Sequence, residues 1–158
     1  MRVYILILVL ITFVLTGCDA LSLALQTAEE GRDTSESSAD ANVTFVRAVE
    51  TAANNWTFYV TVQHPDTGWD DYADGWDVVL PSGQVVKPDA SSPFTRLLLH
   101  PHENEQPFTR SQSGIQIPSD ITTVSVRAHD IVDGFGGEEI QVNLTVSAGD
   151  GFTVERQQ

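Results

Sequence analysis

His100-Pro101-His102 is the most chemically pointed feature of the chain. On an extended segment residues i and i+2 point to the same side, so both imidazoles would face one way. Neutral imidazole is a common ligand for zinc and copper, and two on one strand supply half a site. Glu103 and Glu105 follow closely enough to add oxygen ligands, and His64 ends a strand-like run that can fold toward the pair. The transition-metal reading is therefore Zn or Cu held by His64, His100 and His102, with Glu105 or water completing the set. Such a site would store metal, brace the fold or activate a bound water for hydrolysis. The plainer reading is a hydrogen-bonded His pair ordering a long loop, with Pro101 at a strand end or edge because it cannot donate to a ladder. His129 shares a strand face with Arg127 and reads as structural.

The second candidate is acidic. Asp66, Asp70, Asp71, Asp74 and Asp77 fall within twelve residues. Hard oxygen ligands at this density suit Ca²⁺, although the spacing is not that of an EF-hand loop. The alternative is a solvated loop whose Asp side chains bond nearby backbone N–H groups. Trp69 and Tyr72 sit among these acids. Aromatics beside acids make a carbohydrate or protein contact surface when exposed, or a lid when folded back on the core. The lid is the reading favoured for this pair.

Asp130 to Gly137 carries Asp130, Asp133 and three glycines, which reads as a hairpin loop needing positive φ. A phosphate cradle is a poor reading, because the loop is acidic and no helix follows. Arg110 has Glu105 or the Asp-rich loop as partners. Nucleophilic catalysis has little support, since no G-x-S-x-G elbow is present. A carboxylate pair for glycoside hydrolysis needs a cleft that a small sandwich does not offer. The expectation is a protein that is not an enzyme, with metal-assisted hydrolysis left open through the His set.

The elements that must position these residues are strands. Trp56, Phe58, Val60 and Val62 alternate with Thr57, Tyr59, Thr61 and Gln63, a half-buried strand pattern. Val43, Phe45, Arg47 and Val49 share one side of an earlier run. Trp76–Leu80 and Gln84–Lys87 flank Pro81-Ser82-Gly83 as a hairpin. Thr95–Leu99, Ser111–Ile117, Thr122–His129 and Glu139–Val146 complete the set. Seven to eight strands with regular turn signals and no convincing helix predict an all-β, antiparallel β-sandwich of immunoglobulin-like architecture, with Trp76 in its core. An up-and-down barrel is the alternative.

The chain has 158 residues, enough for one domain. Eight Lys+Arg against 22 Asp+Glu give a net charge of −14. Such a surface repels phosphate backbones, so nucleic acid is excluded as a partner. One Cys rules out an intramolecular disulfide and a Cys-based zinc finger. Arg2 precedes an apolar run from Val3 to Leu15, too short for a spanning helix and suited to a secretory signal. Leu15-Thr16-Gly17-Cys18 resembles the bacterial lipobox. That resemblance implies a lipid on Cys18, cleavage before it, and a protein tethered on the extracytoplasmic face of the cell membrane. Asp19 resembles the signal for inner-membrane retention, which places the protein on the periplasmic side if the organism has an outer membrane. The division expected is a signal peptide over 1–17, a lipidated Cys and flexible acidic linker over 18–41, a β-sandwich over 42–148 and a frayed tail over 149–158. A short surface helix over Leu21–Glu30 is the alternative for part of the linker.

Three segments, VTVQHPDTGWDDYAD from Val60, LLHPHENEQPFTR from Leu98 and VRAHD from Val126 with its glycine-rich turn, are similar to a family of small exported bacterial proteins of unassigned function. The resemblance implies export and a compact β domain, and no activity. The leading expectation is a lipid-anchored binding or accessory module of the cell envelope. Its partners would be the membrane through the lipid and an envelope protein or glycan. A His-based Zn or Cu protein and a calcium-stabilised adhesion module are the alternatives.

Overall fold

The structure is a computed structural model and describes residues 40–157. The expected signal peptide, Cys18, most of the expected linker and the alternative helix lie outside those residues. Among the described residues there is no helix, and nine strands form two sheets. In chain order the strands are β1 (Asn42–Ala52), β2 (Asn55–Gln63), β3 (Ala73–Val79), β4 (Arg96–Leu97), β5 (Phe108–Gln116), β6 (Thr123–Asp130), β7 (Ile140–Asn143), β8 (Ala148–Gly149) and β9 (Phe152–Glu155). The larger sheet has the order β5-β2-β1-β9-β8 and the smaller β4-β3-β6-β7.

The two sheets make the expected sandwich. Phe58, Val60 and Val62 of β2 and Trp76 and Val78 of β3 are fully buried in one apolar cluster with Val124, Val126 and Val142. A buried Val, Leu, Ile or Phe contributes about 1.5–3 kcal/mol. The alternation read in β2 therefore faces the core as expected. In β1 the phase differs: Val43, Val46 and Ala48 are buried, while Phe45 is 40% exposed. The cause is a bulge, since the β1/β2 register slips between Val43 and Phe45. One extra residue in a strand reverses the face of everything after it.

Further expectations are corrected. The chain after residue 148 does not fray. It turns through β8 and enters the larger sheet as β9, paired in parallel with β1, burying Phe152 and Val154. The sheet is therefore mixed, not wholly antiparallel. The strand expected to run to Val146 stops at Asn143, whose Oδ1 accepts bonds from the Thr145 N–H (2.9 Å) and hydroxyl (2.7 Å). Such a side-chain turn competes with the ladder. The hairpin at Pro81-Ser82-Gly83 forms, closed by Leu80 N–H to Gln84 O at 2.9 Å, but its return is a single bridge, Val79 to Val85.

Candidate functional site

Asp66 is the centre of one end of the sandwich. Its carboxylate is fully buried. Oδ1 lies 2.7 Å from His64 Nδ1 and accepts the Ala73 N–H at 3.1 Å. Oδ2 accepts the His102 N–H at 2.6 Å. One carboxylate thus ties the end of β2, the start of β3 and the loop between β4 and β5. Buried carboxylates persist where such donors satisfy them.

The β2–β3 loop also closes on itself. Thr67 N–H bonds Asp71 O at 2.9 Å and Asp71 N–H bonds Gly68 O at 3.3 Å, with Gly68 at a φ of 128°. This turn returns Asp71 to the ring of His64. The β3/β6 register pairs Ala73 with Asp130, which brings the end of β6 to the same place. Ile131 N–H bonds Tyr72 O at 3.3 Å and holds the following loop there. Asp130 Oδ1 accepts the N–H groups of Val132 (2.9 Å) and Asp133 (2.6 Å) and so shapes the turn. Gly134 closes it at a φ of 79°.

Ligand-capable atoms of His64, Asp71 and Asp130 lie within 4.8 Å of one another. His64 Nε2 is 3.6 Å from Asp71 Oδ1. Three buried atoms here, His64 Nε2, Asp71 Oδ1 and Asp130 Oδ2, have no hydrogen-bond partner. Asp130 also belongs to a second convergent group, with Asp40 and Asp133. Those are the two such groups among the described residues, and the quartet of His64, His100, His102 and Glu105 is not one of them.

The His pair does share a side, as its spacing implies: the two rings are 4.5 Å apart. Their surroundings differ. His100 is exposed, with Nδ1 3.0 Å from Pro101 O. His102 is buried, stacked on Phe108 at 3.8 Å and 11°, with neither ring nitrogen bonded. Burial, then the charges of Arg110 and His100, hold its pKa below 6.5 against the pull of Asp66 and Glu105. Glu105 pairs with Arg110 at 2.9 Å, which lowers its own pKa.

The acids of the Asp-rich segment disperse. Asp66 is buried under His64, and Asp70 is exposed. Asp71 faces His64. Asp74 holds His129 Nδ1 at 2.6 Å, and the His129 ring lies against Phe94 and Phe135. Asp77 is buried, accepts the Thr95 N–H at 3.1 Å and lies 3.5 Å from Arg127. The expected calcium set of Asp66, Asp70, Asp71 and Asp74 therefore does not converge. Nor is Trp69 a lid: it is 68% exposed, edge-on to Tyr72 at 5.9 Å.

Sequence reasoning assigned Asp130 only to a turn. A usable signal was present. Val124, Val126, Ala128 and Asp130 are in phase on β6, and all are buried. A carboxylate in the apolar phase of a strand needs a partner, because isolated buried charge is costly.

No family model matches this chain, and no solved structure matches it. A protein of Halomicrobium mukohataei named as a lipoprotein is 37% identical to it over 109 residues. The match covers 69% of this chain and 50% of the relative. The chain thus spans half the length of the relative it matches.

Proposed function

We propose that this protein is a lipid-anchored β-sandwich on the extracytoplasmic face of the cell membrane, and that it works by binding a partner rather than by catalysis. The carrying observation is that two loops joined at Asp66 hold large apolar side chains out to solvent. Trp69 on the β2–β3 loop is 68% exposed and Leu99 on the β4–β5 loop is 70% exposed. Ordered loops on a rigid scaffold are where binding surfaces are built. The aromatic and acidic mixture of Trp69, Asp70 and Tyr72 suits an envelope protein or a glycan. Support for the anchor comes from Leu15-Thr16-Gly17-Cys18 and from the relative named as a lipoprotein. More than one acyl chain on Cys18 would hold the protein stably.

Intact-mass and peptide mass spectrometry of the protein from membranes tests the anchor. The expected mature N-terminus is Cys18 carrying a lipid increment, absent from the Cys18→Ser variant. An unmodified Cys18 thiol would overturn it. For the surface, Trp69→Ala should weaken retention of the purified protein on isolated envelope fractions without changing its melting temperature. Equal retention would remove the aromatic contact from the reading.

A further inference from the structure

We infer that His64, Asp71 and Asp130 form a binding site for a divalent first-row metal ion of the Zn²⁺ type. Asp66 Oδ1 also accepts the Ala73 N–H, and the His64 tautomer that satisfies the 2.7 Å contact carries its proton on Nδ1. The lone pair of Nε2 then points toward Asp71 Oδ1, another acceptor, 3.6 Å away. A buried carboxylate oxygen of Asp130 closes the group within 4.8 Å. Acceptors facing acceptors in a buried place repel, and 3.6 Å is too long for a hydrogen bond. A cation between them reverses the sign of every contact.

The 3.6 Å between His64 Nε2 and Asp71 Oδ1 suits an ion. Ligands about 2.0–2.2 Å from a common metal, at tetrahedral to octahedral angles, sit about 2.8–3.6 Å apart. The support also has the form found around bound metals, in which a carboxylate holds the far nitrogen of a ligating imidazole. Asp66 takes that place. The donor set selects the ion: one imidazole with two carboxylates and no thiolate suits Zn²⁺ or Mn²⁺, while Ca²⁺ takes six to eight oxygens. Asp71 is partly exposed, with 26% of its side chain accessible, and so gives an ion a way in. The site lies at the loop end of the sandwich but does not depend on the lipid anchor. Its effect would be to lock the β2–β3 loop to the end of β6.

The test uses the full chain in detergent, stripped with EDTA and titrated with Zn²⁺, Mn²⁺, Ca²⁺ and Mg²⁺ by calorimetry and thermal melting. The expected result is one equivalent of Zn²⁺, with a melting temperature that rises with the metal and falls with chelator. Asp71→Asn and Asp130→Asn should each weaken binding about tenfold or more. Asn at 130 retains the Oδ1 that caps the turn, so the fold should persist, and near-ultraviolet dichroism of the metal-free variants checks that it does. His100→Ala should bind as the parent does. The inference is overturned by no saturable uptake at micromolar metal, by uptake that survives both Asp variants, by loss in His100→Ala, or by Ca²⁺ binding tighter than Zn²⁺.

Discussion

His64 Nδ1 lies 2.7 Å from Asp66 Oδ1, and both side chains are wholly removed from solvent. The two residues stand two apart in the chain, yet the carboxylate also receives backbone donors from Ala73 and His102. Removing it would leave three buried donors with no acceptor. Asp66→Ala should therefore lower stability by about 3–5 kcal/mol, the range for breaking a buried charged network. Urea unfolding measures this. A loss below about 1 kcal/mol would mean that water or a rearranged loop replaces the carboxylate.

His102 carries a pH dependence. Burial against Phe108 and the charges of Arg110 and His100 set its folded pKa below 6.5, so the folded protein favours the neutral ring. The unfolded chain then binds more protons between the two pKa values. The stabilising contribution is complete above about pH 6.5 and is lost as the pH falls toward the folded value. His102→Phe keeps the stack on Phe108 and the backbone bond to Asp66, and it loses no side-chain hydrogen bond. In chelator, its stability should fall less steeply than the parent's below that pH. Parallel curves for the two proteins would assign the acid sensitivity elsewhere.

Gly137 is required by closeness and not by its backbone angle. A Cβ there would collide with the Ala41 carbonyl oxygen, where β1 begins. The neighbouring Glu138 O accepts the Val43 N–H at 2.9 Å, and the Glu138 N–H donates to Asn42 Oδ1 at 2.7 Å. Gly137→Ala should force this loop off β1 and cost about 1–3 kcal/mol. By contrast Gly83→Ala meets no atom within 4 Å and should lose only what its φ of 84° demands. Equal Tm values for Gly137→Ala and the parent would show that the loop moves freely.

The C-terminal strand is the fourth test. Phe152 is 7% exposed and its strand pairs with β1. Phe152→Ala should destabilise by about 3–5 kcal/mol, as for other buried Phe truncations. Deleting 150–158 should abolish cooperative melting. A truncated chain that melts as the parent does would return β9 to the status of a loose tail.

Much of this protein was legible from its residues in order. Apolar alternation identified β2 and β6 and, with the regular turn signals, the all-β class, because period-two burial is a local property of a strand. Trp76 followed from the sandwich reading, which places a large residue between the sheets, and it is fully buried there. The side-by-side imidazoles of His100 and His102 followed from their spacing, and Arg110 found Glu105, one of its two expected partners. The three loops that sequence singled out, around His64, His100 and Asp130, are those that gather at one end.

What local pattern could not carry was pairing. The bulge in β1 and the parallel entry of β9 depend on partners far along the chain, as non-local contacts must. The same holds at the site. The segment from Asp66 to Asp77 offered five Asp, the glycine-rich turn added Asp130 and Asp133, and the chain has four His, and any of them could have met. Only the fold decided that His64 turns its free nitrogen toward Asp71 and Asp130, while His102 is stacked away on Phe108 and Asp74 is drawn to His129. The residue types determined what chemistry was available. The register of β3 against β6, with the turn through Gly68, determined which atoms share a buried volume, where the low dielectric makes their charges count.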